Sequence, residues 1–177
     1  MPFFPQQNVL EIFQNNTSRY FPLTQFIQDV MRGESAFTPG ERELMAAYVS
    51  GLNACDYCYG SHQAIAVDLD VDPNLLEAIL KDIATAPIEK HLRPIFSLVQ
   101  KLTLTPSKIT QADIDAVLTA GWDEQAIKDA IAVCSLFNLM NRLVNGFGLE
   151  QPNQAQLAGM AQMINAKGYQ ATVQSAN

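Results

Sequence analysis

Residues 43–62 read ELMAAYVSGLNACDYCYGSH. The first ten residues have the character of a helix, Asn53-Ala54 is a break, and a second helix is expected from about Cys55 to Val67. Each helical residue turns about 100°, so with Cys55 at zero, Cys58 falls near ~300° and His62 near ~340°. The three side chains share one face, and His62 lies one turn beyond Cys58, within reach of its sulfur.

Thiol chemistry needs these residue types in this register. The thiolate is the nucleophile, and an ordinary cysteine has a pKa of about 8.5. The first turn of a helix offers unpaired N–H groups and partial positive charge, which favour a thiolate at Cys55 or Cys58. An adjacent imidazole takes a proton or pairs with the thiolate, so the lower pKa is expected at Cys58, next to His62. A second cysteine converts a sulfenic acid into a disulfide before further oxidation. Glu43 is the candidate carboxylate behind His62, where it would orient the ring and stabilise its charge. Ala46, Ala47, Ser50 and Gly51 share its face, and such small residues admit a neighbouring helix closely. A first-turn surface glutamate is the plainer reading of the same residue. The Cys pair likewise has two structural readings. One is inert packing; the other is a zinc site in which His91 or Glu43 joins Cys55, Cys58 and His62.

Helical patterning extends outward from this segment. Thr38-Pro39-Gly40-Glu41 has the form of a capping box with proline in the first turn. Upstream, a helix is expected from Pro22 to Arg32, preceded by an N-terminal arm over residues 1–20. Downstream, helices are expected from Asp72-Pro73 to about Ala84, and from Pro87 to Leu104 with Pro94 bending it or displacing its start. Another is capped by Thr110. The longest runs from about Glu124 to Gly146, capped by Asp123, with Trp122 stapled onto Ile127. A last helix covers Asn153 to Ala166. Nothing alternates with period two, so the fold class is all-α: one helical domain over residues 21–166 and a polar tail over 167–177. The stretch IAVCSLFNLM, Ile131 to Met140, is apolar nearly all round. It is expected at the centre of the bundle or at a subunit interface.

Composition narrows the function classes. The 177 residues are 48% hydrophobic and 16% charged, and 18 acidic against 11 basic residues give a net charge of −7. No basic cluster breaks the acidic background, which disfavours nucleic acid and anionic membrane surfaces as partners. The N-terminus lacks a basic segment followed by an apolar stretch, and three cysteines are too few for a secreted disulfide scaffold, so a cytoplasmic location is expected. Cys134 lies in the apolar stretch and reads as core, and His91 as a packing or surface residue. Asn138 and Arg142 stand one turn apart, with Arg142 expected to pair with an acidic residue across a helix contact.

Glu43, twelve residues before Cys55, then Cys58 and His62, resembles the motif of the alkylhydroperoxidase D-like (carboxymuconolactone decarboxylase) family. The stretch from Lys101 to Glu150, with Phe137-Asn138 and Asn141-Arg142, resembles the peroxidase-related branch. Together the likeness spans roughly residues 20–150. It implies the alkylhydroperoxidase-like helical bundle, self-association as a dimer or hexamer, and cofactor-free reduction of a peroxide by the Cys pair. Cys58 would attack and Cys55 resolve, with turnover by an external thiol or lipoyl-type reductant. The best-known members carry His immediately before the second Cys, where this chain has Tyr57. The decarboxylases proper lack the Cys pair, so lactone decarboxylation is not expected. The alternative is a non-enzymatic redox sensor or adaptor of the same fold.

Overall fold

Pro39–Leu52 forms the helix around which the others assemble. Every residue from Arg42 to Ser50 is buried, including Glu43 and Arg42. Ala46, Ala47 and Ser50 keep the helix slender enough to be surrounded, and Gly51 lies where a Cβ would stand 2.8 Å from the Leu80 side chain. Arg42 tolerates this depth because its guanidinium donates to the carbonyls of Val30 and Gly33 at 3.1 and 2.9 Å.

The computed structural model describes residues 1–170 and is all-α. In chain order the helices are α1 (Val9–Asn15), α2 (Thr17–Arg32), α3 (Pro39–Leu52), α4 (Asp56–Asp68), α5 (Leu75–Lys81), α6 (Arg93–Leu104), α7 (Gln111–Thr119), α8 (Glu124–Phe147) and α9 (Gln154–Lys167). Helix α3 packs chiefly on α4 and α8 and also meets α5 and α6; α9 lies along α4. One continuous core holds most of the buried side chains, and a smaller cluster of Ile65, Ala161 and Ile164 seals α9 against α4.

Local chemistry accounts for the boundaries. Thr38 and Glu41 close the capping box on α3, and Asp123 caps α8 by accepting from Ala126 N–H. Pro94 displaces the start of its helix: α6 begins at Arg93, after a 3-10 turn over Lys90–Leu92. Gly148 ends α8 in the left-handed region at φ 67°, the conformation that favours glycine.

Three expectations are corrected. Residues 9–20 are not part of an arm. Helix α1 buries Ile12 and Phe13, and α2 begins at Thr17 with Pro22 inside it. Only the first eight residues are irregular, and they are fastened to the end of α8: Phe3 N–H donates to the Phe147 carbonyl at 3.0 Å. Pro22 forgoes one backbone bond, yet the apolar stripe Thr24, Ile27 and Met31 holds α2 to the core. The most enclosed helix is α3; Ile131–Met140 of α8 buries Val133, Cys134, Leu136, Phe137 and Met140 in the core and leaves Ile131 and Leu139 37% and 50% exposed, which accords with the expectation of a core or interface helix. Trp122 packs on Phe37 and His91, its indole N–H donating to the His91 carbonyl at 2.7 Å. The expected tail is ordered as far as Tyr169, which reaches the site described below; residues 171–177 lie outside the described residues.

Candidate active site

The elbow between α3 and α4 sets the cysteines. Asn53 ends α3, and Ala54 turns the chain at φ 51°. Cys55 N–H then donates back to the Ser50 carbonyl at 2.9 Å. Cys55 is therefore the N-cap of α4, and Cys58 lies in its first turn. Both thiols are free and buried.

The two thiols act directly on each other, and the effect is unequal. The Cys58 side chain lowers the Cys55 thiol to about 7 against the opposing cost of burial, and the Cys58 backbone N–H and Asn141 assist. Cys58 is pushed well above the ordinary thiol value, first by the Cys55 side chain and then by burial. The direction is thus down at Cys55 and up at Cys58, the reverse of the order expected from the register with His62. The helix cap, where the Cys58 N–H meets the Cys55 sulfur, stabilises negative charge on Cys55.

Asn141 on α8 is the shared donor. It is 1% exposed, its amide serves both sulfurs, and it also donates to Ser50 Oγ at 3.0 Å. Asn53 Nδ2 holds the Asn141 Oδ1 at 2.9 Å and the Asn138 Oδ1 at 3.1 Å. Arg142 donates to Asn138 Oδ1 at 3.0 Å and to its carbonyl at 2.6 Å. Arg142 therefore buttresses its own helix at the elbow instead of pairing with an acid.

Glu43 is fully buried and has three partners. Its Oε2 lies 2.6 Å from His62 Nδ1, and its Oε1 forms an ion pair with Arg32 Nη1 and accepts from Tyr169 Oη, each at 2.7 Å. Burial alone would raise the Glu43 pKa, but the bond to His62, the charges of His62 and Arg32, and the Tyr169 hydroxyl together carry it below the usual range. An ionised carboxylate only accepts, so His62 donates from Nδ1, and Nε2 is the nitrogen left for other work. Phe137 packs edge-on against the imidazole at 4.3 Å between centroids. Arg32 also lies over the Tyr169 ring at 5.1 Å.

A cavity of about 260 Å³ opens beside these groups. Cys58, Ser61, His62, Tyr57 and Tyr169 supply its polar edge, and side chains such as Phe13, Ile27, Ile65, Phe137 and Met160 form apolar walls. Cys55 lies behind Cys58 and does not line it. Tyr57 stands where the resemblance leads one to look for histidine; its hydroxyl accepts from Val9 N–H at 3.4 Å and so ties α1 to the cavity. Burial raises the Tyr57 pKa, which makes the phenol a donor and not a base.

The structure thus brings Glu43, Cys55, Cys58 and His62 to one place. His91, offered as a zinc ligand, is elsewhere, beside Glu89 and Trp122. Among the described residues no group of three His, Cys, Asp or Glu side chains is arranged to hold a metal ion. Cys134 is core, 3.3 Å from Thr103 Oγ1. Sequence reasoning missed Arg32, Asn141 and Tyr169. An asparagine at a core-facing position of an apolar helix was the available signal for Asn141. Arg32 and Tyr169 carried none, because their roles depend on how α2 and the end of α9 dock.

The carboxymuconolactone decarboxylase family model matches residues 22–88. No curated protein matches the chain. Among solved structures, an uncharacterized peroxidase-related protein from Silicibacter sp. TM1040 is 30% identical with a TM-score of 0.78, over 87% of this chain and 80% of that one. An alkylhydroperoxidase AhpD core protein, peroxidase-related, from Ralstonia eutropha JMP134 is 22% identical with a TM-score of 0.76, over 85% and 78%. The debrominase Bmp8, solved with 2,3,4-tribromopyrrole, shares the fold at 13% identity with a TM-score of 0.72, over 88% and 81%.

Proposed function

Given that the chain belongs to the carboxymuconolactone decarboxylase family, with the alkylhydroperoxidase-like fold, we propose that it is a dithiol peroxidase in which Cys58 meets the peroxide and Cys55 completes a disulfide. One observation carries this reading: Cys58 and His62 line the same cavity, while Cys55, three residues before Cys58 at the cap of the same helix, does not line it.

The resting pair holds one proton on Cys58, shared towards the Cys55 thiolate. As a peroxide enters, that proton passes to Cys55, and the Cys58 sulfur attacks the terminal peroxide oxygen. The S–O bond forms and the O–O bond breaks; sulfur loses two electrons and the peroxide gains them. The departing alkoxide takes the Cys55 proton and leaves as alcohol. Cys55, again a thiolate, attacks the Cys58 sulfenic acid, the S–S bond forms, and hydroxide leaves as water with a proton from His62. Glu43 steadies the imidazolium that donates it, and solvent restores that proton. An external dithiol, or two thiols such as a lipoyl-type partner supplies, then returns two electrons to the disulfide. Tyr57 contributes position, and the absence of a second histidine leaves His62 as the single imidazole of the site.

The test is steady-state peroxide consumption with a panel of dithiol and monothiol reductants. Turnover that disappears in Cys58→Ser supports the enzyme. Reversible disulfide formation without turnover by any reductant would instead favour a redox sensor of the same fold. A cytoplasmic setting belongs to the same proposal, because a reducing compartment keeps such a pair reduced between cycles.

A further inference from the structure

A guanidinium only donates and a backbone carbonyl only accepts. Between them these two groups settle the attitude of Asn138: its Oδ1 accepts from Arg142 Nη1 at 3.0 Å, and its Nδ2 donates to the Cys134 carbonyl at 3.0 Å. The group of Asn53 that faces Asn138 Oδ1 at 3.1 Å must then be its NH2. That same Nδ2 lies 2.9 Å from Asn141, which must meet it with Oδ1. The Asn141 Nδ2 is thereby turned the other way. It donates to Ser50 Oγ at 3.0 Å and lowers the pKa of both cysteines. Ser50 can accept there because its own proton is given to the Ala46 carbonyl at 2.8 Å. Asn141 is 1% exposed, so its amide is oriented by these neighbours and not by solvent.

From this chain of bonds we propose that Asn53 is a positioning residue: it fixes which end of the Asn141 amide faces the cysteine pair. An asparagine amide reversed end for end fills the same space, so shape does not choose between the two. With Nδ2 towards the sulfurs the amide donates and favours a thiolate. With Oδ1 there it would accept from S–H and favour the protonated thiol. Asn53 offers a donor on its own side and so admits only the first arrangement. It ends α3, does not line the cavity, and reaches the pair through Asn141. The other charged or titratable groups around the pair are Asp56, which opposes ionisation of Cys55; His62 with Glu43 behind it; Tyr57, with Glu11 near it; and Tyr169. None of these is hydrogen-bonded to Asn53 among the described residues. That the orientation serves peroxide reduction rests on the dithiol reading above; that it sets the ionisation of the pair does not.

The measurement is the ultraviolet absorbance of the thiolate as pH is raised, on the reduced full chain. Burial raises Cys134 and so keeps it out of the first transition. Asn53→Ala is expected to move the midpoint of the pair upward by about half a unit to one unit. That is a change of about three- to tenfold in the ionisation constant, the range for one hydrogen bond. Asn53→Ser, too short to reach Asn141, should do the same and covers the case in which alanine disturbs the end of α3. Introduced into Asn141→Ala, either substitution should move the midpoint no further. An unchanged midpoint in both Asn53 variants would overturn the proposal, and so would an equal shift with and without Asn141. Disulfide formation by hydrogen peroxide is scored separately on the wild type. A disulfide there, with no effect of Asn53 on the midpoint, leaves the dithiol reading standing and refutes the positioning role. A shifted midpoint in a protein that forms no disulfide does the reverse.

Discussion

The Tyr169 hydroxyl donates to Glu43 Oε1 at 2.7 Å, joining residues 126 positions apart. The same hydroxyl stands 3.4 Å from His62 Nδ1. The segment after α9 is thereby fastened to the carboxylate that orients the imidazole. Burial and the Glu43 charge push the Tyr169 pKa well above its ordinary value, so it remains a donor across the working pH range.

Tyr169→Phe should therefore cost about 1.5–3 kcal/mol, the scale of a hydrogen bond to a charged acceptor, measured by urea unfolding. It should also slow peroxide-driven thiol loss, because the His62 ring loses a restraint. An unchanged urea midpoint would mean that Tyr169 merely covers the site.

The pH dependence follows from the cysteine pair. Its first ionisation centres on Cys55 at about 7. Single-turnover thiol loss with peroxide should rise as pH passes through about 7 and level off above it. For Cys55 the linked stability has the same sign, whereas Cys58, raised in the folded protein, works against folding as pH climbs past the ordinary thiol value. Thiolate stabilisation is complete above the ordinary thiol pKa of about 8.5 and is lost as pH falls through about 7. Asn141→Ala removes a donor to both sulfurs, so the midpoint should move upward. A midpoint that stays near 8.5 in the wild type would contradict a lowered first ionisation of the pair.

Much of the site was legible because it is local. Cys55, Cys58 and His62 share one face of one helix, so periodicity brought them together, while Glu43 on the helix before joined them through the likeness to the family motif. The all-α class followed from the same periodicity. The misreadings have physical reasons. Pro22 suggested a helix start, but burial of Thr24, Ile27 and Met31 outweighs one lost backbone bond. The apolar run in α8 pointed to the centre or to a subunit interface, and α8 does bury one face in the core; what the sequence did not show is that α3 is more enclosed still, because Ala46, Ala47 and Ser50 let neighbours close around it. The register of His62 with Cys58 carries no information on the contact between the two thiols, which acts downward on Cys55 and upward on Cys58.

Glu43 and His62 should behave as a unit. Glu43→Gln leaves Arg32 facing a neutral amide in a buried position, which should destabilise the fold by about 3–5 kcal/mol. The Glu43 pKa is depressed in the folded protein. Its contribution is present above the ordinary carboxylate value of about 4.3 and is lost as pH falls through the folded value. The wild type should thus lose stability on the acid side more steeply than Glu43→Gln. His62→Ala should slow disulfide formation by roughly 10²-fold, the lower range for a general acid. The double variant should match His62→Ala alone in rate. Additive losses would separate the two residues.

Ile131 and Leu139 lie 37% and 50% exposed on α8. Self-association would cover them, and a dimer or hexamer is the expected state. Light scattering at micromolar concentration should give a mass that is a multiple of 19.5 kDa. A monomer alone would refute this expectation.

The account rests most directly on the bond between Cys55 and Cys58. Reduced protein treated with one equivalent of peroxide, quenched with an alkylating agent and mapped by peptide mass spectrometry, gives the answer. The predicted product is a Cys55–Cys58 disulfide with Cys134 still a free thiol, and it is reversed by a dithiol. Cys58 recovered as a sulfinic acid beside an alkylated Cys55, or both cysteines alkylated and unchanged, would contradict the account.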